Sequence, residues 1–336
     1  MTGPASLHPV VRLAPAKLNL TLAVLGVRKD GFHDLHSVMV PLGLVDRLSL
    51  ARAAGSTDSL HVAGGVDGRT TLDPGAFDSV LKGIAEARRA VGRGADAFPL
   101  AARLEKRIPS AAGLGGGSSD AAAAIDGALA AWSADLPADD RRRAAAATGS
   151  DVPFFLAGGP ALVEGRGERV TPLNHLAGNP PGVVLVTPSL EISTSAAFRA
   201  LDTDPAAAPA NRGSTRLTSE HLAVELGPGY PPMRAADLLV RAGVLAVAND
   251  LANAADLLAP GLRALRRALT RLLGVPIGLS GSGPTLWALY PSLHDAEGAA
   301  RRVRDEAAIG LLESPGAGKP FVAATTIEGG PGRTSA

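Results

Sequence analysis

The sequence predicts an α+β protein built from two domains, and three observations support this prediction. The chain has 336 residues, more than the roughly 100–200 residues usual for one domain. Hydrophobic residues make up 46% of it and charged residues 19%, which is enough apolar material for packed cores. The segment NHLAGNPPG at 174–182 has the composition of a linker. We therefore predict domains of residues 1–178 and 179–336, with a disordered tail from about residue 328.

The first domain is predicted to combine strands and helices around a glycine loop. Apolar residues alternate with polar ones over residues 11–25, which indicates a strand with one buried face. The segment 120–132 is rich in alanine and predicts a helix. The other elements expected in this domain are strands at 37–44, 46–52 and 98–108 and a helix at 76–92.

The second domain is predicted to begin with the apolar strand VVLVTP at 183–188. The stretch 202–234 contains several prolines, which predicts a long loop around one short helix. Apolar residues at helical spacing predict an amphipathic helix over 257–274 that ends at Gly274. The elements expected after it are a second glycine loop at 279–290 and a helix at 294–308.

The composition excludes several classes of protein. Cysteine is absent, which rules out disulfide scaffolds, cysteine-ligated zinc and thiol catalysis, and we expect a reducing, cytoplasmic location. Lys and Arg number 33 against 32 Asp and Glu, so the net charge of +1 predicts no nucleic-acid partner. No apolar stretch approaches the roughly 18–20 residues of a membrane helix, so no membrane partner is expected. The N-terminal MTGPASLHPV lacks the pattern of a signal peptide.

The most informative stretch is the glycine-rich segment PSAAGLGGGSSD at 109–120. Glycine lets the backbone approach a bulky anion, and the N-terminus of the helix that follows offers unpaired N–H groups and a favourable dipole. The segment therefore indicates a phosphate-binding loop, and a flexible loop with an ordinary Ser/Asp helix cap is the alternative. The residues that would hold the phosphates are Pro109, Gly113, Leu114, Gly115, Gly116, Gly117, Ser118 and Ser119.

Two common nucleotide-binding patterns do not occur in the sequence. The GxxxxGK[ST] pattern of P-loop NTPases is missing. The strict GxGxxG of dinucleotide-binding domains fails at Ser118, and its downstream ribose-binding acid is missing as well. An NAD-dependent dehydrogenase is therefore the weakest of the alternatives.

The segment PSAAGLGGGSSDAAAA resembles the central phosphate-binding motif of the GHMP kinase superfamily. Three further blocks extend the resemblance, which spans residues 12 to about 326: PAKLNLTLAVLGVRKDGFHDLHSVM at 15–39, TGSDVPFFLAGGPALVEGRGE at 148–168 and LSGSGPTLWAL at 279–289. The resemblance implies a two-domain α+β GHMP kinase fold, with a ribosomal protein S5 domain 2-like N-terminal domain and a ferredoxin-like C-terminal domain. It also implies ATP as the phosphate donor, and phosphoryl transfer implies an accompanying Mg²⁺ ion.

Two charged residues are candidates for the chemistry. Asp151 follows a Gly-Ser turn and precedes an apolar run, so on the residues alone it is more readily a helix cap than a base. Lys17 lies among alanine and leucine on a strand with a buried face, which is unexpected unless its head group meets an anion. A lysine that snorkels from an edge strand is the alternative. The resemblance implies that Asp151 is the catalytic base and Lys17 its electrostatic partner.

The first block is most similar to a branch of the superfamily that phosphorylates an alcohol linked to cytidine diphosphate. An aromatic ring stacks on a flat base and an imidazole hydrogen-bonds its edge, so Phe32 and His33 suit a nucleobase. On the residues alone, an FH dipeptide or a single Phe in a helix is more often core or surface. The residues that the resemblance implies in substrate binding are Asn19, Phe32, His33, Thr194 and Phe198.

Other residues depart from the family pattern or have no assigned chemistry. The family often has asparagine near the start of the first predicted helix, where it contacts the nucleotide, and this chain has Asp78 there. The pair Asn249 and Asp250 matches a family segment, and we predict an architectural role for it. His36 forms an HxxH pattern with His33, but no carboxylate cluster completes a metal site, so no metal ligand is predicted.

The sequence therefore predicts a kinase that transfers the γ-phosphate of ATP to an alcohol group of a small, cytidine-linked substrate of isoprenoid biosynthesis. Two alternatives remain open at this point. One is a kinase of the same superfamily for another small alcohol, such as homoserine or mevalonate. The other is a non-catalytic module that binds phosphate with the same fold.

Overall fold

The computed structural model describes residues 9–64, 78–92, 98–204 and 213–328. The tail predicted from about residue 328 falls outside the described residues. Within those ranges, no helix is both long and apolar enough to cross a lipid bilayer.

The first half of the chain begins with four strands and then combines helices with further strands. Its elements are β1 (Val10–Asn19), β2 (Ala23–Val27), β3 (His33–Arg52), β4 (Ser59–Ala63), α1 (Asp78–Ala90), β5 (Leu100–Glu105), α2 (Gly116–Ala131), α3 (Ala138–Thr148), α4 (Val152–Ala157), β6 (Ala161–Gly165) and β7 (Arg169–Pro172).

The second half contains more helix. Its elements are β8 (Gly182–Thr187), α5 (Thr194–Thr203), α6 (Gly213–Glu225), α7 (Ala235–Val240), α8 (Ala242–Val247), α9 (Ala252–Leu258), α10 (Leu262–Leu273), β9 (Gly278–Leu279), β10 (Leu286–Tyr290), α11 (Leu293–Ala308) and β11 (Phe321–Thr326).

A seven-stranded sheet is organised around β3, which is 20 residues long. One edge of β3 pairs with β2 and then β1, and the other edge pairs with β6 and then β5, all antiparallel. β4 adds to β5 in parallel, and β7 pairs with β6. The second half forms a separate four-stranded sheet in the order β11-β8-β10-β9. The strands of the first sheet therefore precede the predicted linker segment in the sequence, and those of the second sheet begin at its end.

The prediction of two strands at 37–44 and 46–52 is wrong, because β3 runs through both without a break. Between β6 and β5 its edge is completed by the chain that follows β11, where Leu42 bridges Ile327 and the backbone N–H of Glu328 donates to Pro41 at 2.9 Å. Gly43 lies against this segment, since a Cβ there would lie 2.7 Å from Glu328 Oε1 and 3.0 Å from Thr326 Oγ1. The glycine therefore marks a contact between the two halves and not a turn.

The two sheets share an apolar core. Side chains of β1 and β3 pack against side chains of β8 and β10, and the largest buried members of this cluster include Leu18, Leu42, Leu185 and Trp287. A second core lies between the first sheet and helices α1 and α2, where Ile84 and Ile125 are fully buried. β1 contributes side chains to both cores. Its packing in the shared core fixes its position relative to the second half of the chain.

Three helices differ from the sequence prediction in an informative way. α2 begins at Gly116, four residues before the predicted start, because Gly115 adopts left-handed geometry (φ 69°) and caps it. The helix expected over 257–274 is divided into α9 and α10 at Gly261, which is also left-handed (φ 96°). The predicted end at Gly274 is confirmed. The stretch 202–234 holds α6, which is 13 residues long and is not the short helix expected there.

A buried ionic cluster lies beneath the start of α2. The Lys106 ammonium contacts the carboxylates of Asp46 and Asp120, and all three side chains are almost completely buried. Asp46 also accepts the backbone N–H groups of Arg107 and Ile108, whereas Oδ1 of Asp120 has no partner. Burial, only partly opposed by Lys106, raises the pKa of Asp120 to about 7. One cation is thus shared by two acids, and the raised pKa of Asp120 favours the protonated form of that carboxyl group.

We expect D120N to make the protein less sensitive to pH. Between the ordinary aspartate pKa of 3.8 and about 7, folded Asp120 holds a proton that the unfolded chain has released. This group therefore lowers the free energy of unfolding as pH rises through that window, by up to about 1.4 kcal/mol per pH unit. D120N lacks this contribution, so urea unfolding should show it gaining stability relative to wild type as pH rises.

The matched control is D126N, on the same helix, where Asp126 is partly exposed and pairs with Arg141. Its unfolding free energy should track that of the wild type across the same window. Parallel curves for D120N and wild type would show that Asp120 does not retain a proton in the folded state.

Candidate active site

Three segments that are far apart in the sequence meet at one point. The backbone N–H of Lys17 in β1 donates to the carbonyl of Leu114 at 2.9 Å. The hydroxyl of Ser280, in the second glycine loop, donates to the carbonyl of Gly113 at 2.9 Å. Gly113 has φ 75°, and a Cβ there would lie 2.2 Å from the Ser280 carbonyl oxygen. Close backbone packing of the two glycine loops therefore requires glycine at this position.

The first glycine loop continues directly into α2. Gly116, Gly117 and Ser118 form the first turn of the helix, whose early N–H groups have no partner within the helix. These three residues and Gly115 line a cleft between the two halves of the chain. The cleft has a volume of about 970 Å³. The arrangement presents a helix N-terminus to the cleft, which is suited to an anion.

Lys17 is buried at the inner end of this cleft. Its side chain is about 5% exposed, and Nζ lies 3.8 Å from Oδ2 of Asp151. Burial lowers the pKa of Lys17, and the negative charge of Asp151 opposes that change. Gly115 makes room for the lysine, because a Cβ there would lie 2.9 Å from Cγ of Lys17. The sequence prediction that this lysine meets an anion agrees with the structure.

Asp151 lies at the N-cap position of α4, as the alternative interpretation of the sequence anticipated. Its carboxylate, however, makes no capping hydrogen bond to that helix. The side chain is 31% exposed and lines the cleft beside Lys17. The position is that of a cap, but the carboxylate is directed to the lysine and the cleft.

The predicted substrate-binding residues all line the same cleft. The imidazole of His33 stacks on Phe198 with ring centroids 4.5 Å apart, and its Nε2 lies 2.9 Å from Oδ1 of Asp202. Thr194 lies within hydrogen-bonding distance of the Ser282 hydroxyl at 3.2 Å. These pairs connect α5 to β3 and to the second glycine loop.

Asn19 and Phe32 differ in how much of each side chain is exposed to the cleft for contact with a ligand. Asn19 is 2% exposed, and its amide is already bonded to Lys17 and to Ser37. Phe32 is 48% exposed at the rim, with the guanidinium of Arg166 5.2 Å from its ring centroid. The asparagine therefore lies in the floor of the cleft, and the phenylalanine offers an open ring face.

Not every residue predicted for the nucleotide lines the cleft. Leu114 is buried in the shared core, and the Ser119 hydroxyl is buried without a partner, so neither is among the lining residues. Near the start of α1 the lining residue is Ser79 and not Asp78. The remaining predicted residues of the loop line the cleft: Pro109, Gly113, Gly115, Gly116, Gly117 and Ser118.

The pair Asn249 and Asp250 braces the site from behind, as predicted. The Asn249 amide donates to the carbonyls of Leu279 and Gly281 at 2.9 Å each, which holds the second glycine loop. The Asp250 carboxylate accepts the backbone N–H of Val24 at 2.8 Å. The pair thus connects that loop to β2.

The cleft residues that sequence reasoning missed include an arginine and an aspartate that contact predicted site residues. Arg166, in the turn between β6 and β7, reaches the ring of Phe32, and Asp202, at the end of α5, bonds to His33. Asp202 is 169 positions from His33, and no local pattern marks either residue. Only the packing of α5 against the start of β3 brings that aspartate to the histidine.

Comparisons with known proteins identify the family of this chain. The family model described as GHMP kinases N terminal domain matches residues 79–159, and the model GHMP kinases C terminal matches residues 235–309. A curated relative from Deinococcus radiodurans, named 4-diphosphocytidyl-2-C-methyl-D-erythritol kinase, is 38% identical over 87% of this chain and 88% of its own. A relative of the same name from Pelotomaculum thermopropionicum is 36% identical over 88% and 94%.

Solved structures give the same result. A crystal structure of 4-(cytidine 5'-diphospho)-2C-methyl-D-erythritol kinase aligns with a TM-score of 0.63 and 30% identity, over 94% of this chain and 99% of that one. Homoserine kinase from Cytophaga hutchinsonii aligns with a TM-score of 0.67 over 97% of each chain, and at 18% identity it supports the fold alone. The predicted α+β GHMP kinase fold is confirmed. The chain belongs to the GHMP kinase family and, within it, to the group whose members are named 4-diphosphocytidyl-2-C-methyl-D-erythritol kinase.

Proposed function

We propose that this protein is an ATP-dependent kinase that phosphorylates the 2-hydroxyl of 4-diphosphocytidyl-2-C-methyl-D-erythritol, in the non-mevalonate route to isoprenoid precursors. The observation that carries the proposal is the approach of the Lys17 ammonium to the Asp151 carboxylate, at 3.8 Å, beside a glycine loop that begins a helix. Relatives that share most of the chain bear the name of this kinase. We also propose a domain boundary at residue 178 and a cytoplasmic location.

The first glycine loop would hold the phosphates of ATP. Its glycines let the backbone approach the phosphate oxygens, and the first turn of α2 supplies N–H donors and the positive end of the helix dipole. The hydroxyl of Ser118 adds a side-chain donor. Among the predicted nucleotide-binding residues, Leu114 and Ser119 would act indirectly, by fixing the loop from below.

Asp151 and Lys17 would carry the proton and the charge of the transfer. The acceptor hydroxyl gives its proton to the Asp151 carboxylate while its oxygen bonds to the γ-phosphorus, and the bond from that phosphorus to ADP breaks. The Lys17 ammonium stabilises the negative charge that develops on the acceptor oxygen. The negative charge of Asp151 opposes the lowering of the Lys17 pKa by burial, and so favours the ammonium form of the lysine.

Oxygen ligands suited to Mg²⁺ are present in the cleft. They are the hydroxyls of Ser118 and Ser150. The described residues contain no cluster of three or more His, Cys, Asp or Glu able to hold a metal, so the nucleotide would supply much of the coordination. When bound, the ion would neutralise charge on the transferring phosphoryl group.

The cytosine of the substrate would be read at the rim of the cleft. Phe32 offers an exposed ring face. His33, at the start of β3, and Phe198, on α5, form a stacked pair. Asn19 and Thr194 would contact the acceptor part of the substrate nearer to Lys17. Homoserine and mevalonate contain no nucleobase, so residues that bind a base would have no function with either of them.

We expect D151N to lose turnover by at least about 100-fold, because an amide cannot accept the hydroxyl proton. ATP binding should persist, since the loop is unchanged. A coupled assay for ADP release, with ATP affinity measured by calorimetry, tests both points. The matched control is D139N, on the exposed side of α3, where Asp139 pairs with Arg142. Near-normal turnover by D151N would reject its role as the base.

We expect G113A to weaken ATP binding by at least about tenfold, because a Cβ at this left-handed position meets the Ser280 carbonyl and displaces the loop. G274A is the control: Gly274 is also left-handed, but no atom lies within 4 Å of the added Cβ. Both variants should lose some stability in thermal unfolding, and only G113A should lose ATP affinity. Equal ATP affinity in both would mean that the loop does not hold the nucleotide.

An acceptor panel tests the substrate. ADP release with the cytidyl substrate should exceed that with homoserine or mevalonate by orders of magnitude. F198A should lower kcat/KM for the cytidyl substrate by about tenfold or more, the order of one lost base-stacking contact. Y230A removes an exposed aromatic outside the cleft and should have no such effect. A higher rate with another alcohol would show that this alcohol, and not the cytidyl substrate, is the acceptor. An absence of turnover with every acceptor would favour a non-catalytic phosphate-binding module.

A further inference from the structure

A chain of buried polar side chains runs from Lys17 through Asn19, both at the floor of the cleft, into the first sheet. The Lys17 ammonium donates to Oδ1 of Asn19, and Nδ2 of Asn19 donates to the hydroxyl of Ser37 at 2.9 Å. The Ser37 hydroxyl donates in turn to the backbone carbonyl of Thr21. Taken as whole residues, Lys17, Asn19, Ser37 and Thr21 are each at most 4% exposed. Solvent therefore cannot replace any of these bonds.

The direction of each bond follows from the last one. A carbonyl oxygen only accepts, so the carbonyl of Thr21 commits the one proton of the Ser37 hydroxyl. The Ser37 hydroxyl can then only accept a hydrogen bond from Asn19. The NH₂ end of the Asn19 amide must therefore face Ser37. The carbonyl end of the amide must consequently face Lys17. Ser37 thus determines which way the amide is turned.

That orientation matters because the wrong one is repulsive. A flipped amide would direct the N–H groups of Asn19 at a buried ammonium, which would then have only Asp151, at 3.8 Å, as a favourable charged neighbour. In the observed orientation the ammonium has a second oxygen, on its own strand. The glycine loops approach Lys17 through Gly115 and Gly281 and contribute no charged side chain.

We propose that Ser37 is a positioning residue for phosphoryl transfer, whose hydroxyl orients the Asn19 amide and thereby holds the Lys17 ammonium beside Asp151. This inference rests on the proposed function of Lys17 and Asp151. The backbone of Ser37 is already paired with Val163 in the sheet, so the hydroxyl is not needed to hold the strand.

The same region supplies a control. The hydroxyl of Ser219, on α6, is fully buried and lies within hydrogen-bonding distance of Thr21 Oγ1 at 2.7 Å and His36 Nδ1 at 2.9 Å. It fastens α6 to the sheet but has no bond to Asn19. S219A therefore removes a buried hydroxyl beside the chain without changing the orientation of the amide.

The test compares S37A, S37T and S219A in the complete protein with ATP and the cytidyl substrate. S37A should lower kcat by about tenfold or more and leave KM for ATP unchanged. A tenfold loss is the order expected when the Asn19 amide no longer accepts the hydrogen bond of the Lys17 ammonium. Because the ammonium loses support, its pKa should fall and the basic limb of the kcat profile should move to lower pH. S37T keeps the hydroxyl and should restore both quantities, and S219A should leave both unchanged.

Three results would overturn the inference. They are a folded S37A with wild-type kcat and pH profile, a folded S37T that recovers neither quantity, and an S219A with the same loss as S37A. Failure of the proposed function is distinguishable, because it would appear as turnover that survives in D151N. An inactive D151N together with a fully active S37A would reject only the role of Ser37.

Discussion

The structure depends on placing an ammonium group where water cannot solvate it. Lys17 lies on β1 between side chains of the shared core, and burial lowers its pKa. An isolated buried charge is costly, so it persists only with partners that replace its hydration. Asp151, brought by the turn before α4, and Asn19, on the same strand, are those partners. The fold is thus constrained to bring α4 to the open side of β1.

A second constraint is the space that this arrangement leaves for backbone. The two glycine loops approach each other and Lys17 so closely that side chains cannot be accommodated. A Cβ at Gly113 or Gly115 would lie within 3 Å of a neighbouring heavy atom, and both residues are left-handed. The glycines that suggested phosphate binding from the sequence therefore also serve the packing of the site. Both roles require the same property, a backbone without a side chain.

The sequence predicts what is encoded locally and misses what is created by packing. Lys17 was anticipated because a lysine in an apolar strand is anomalous on its own, and Gly274 because a helix stop needs only local geometry. The unbroken course of β3 was missed, since it depends on a distant segment that completes its edge near Leu42. Asp202 and Ser37 were missed for the same reason: a hydrogen bond between distant segments leaves no periodic pattern. The resemblance supplied roles for individual residues, but their partners became apparent only in the fold.

The division of the cleft into floor and rim explains why the fold alone does not define the acceptor. The floor comprises Lys17, Asp151 and the glycine loops, and it is anchored to a core shared by both sheets. The rim comprises Phe32, which is about half exposed, and the stacked His33–Phe198 pair, which depends on the position of α5. A homoserine kinase shares the fold at 18% identity, so the architecture that supports phosphoryl transfer is compatible with other acceptors. On the proposed function, the choice of acceptor would therefore depend on side chains of the rim, which lie outside the buried charges and the shared core.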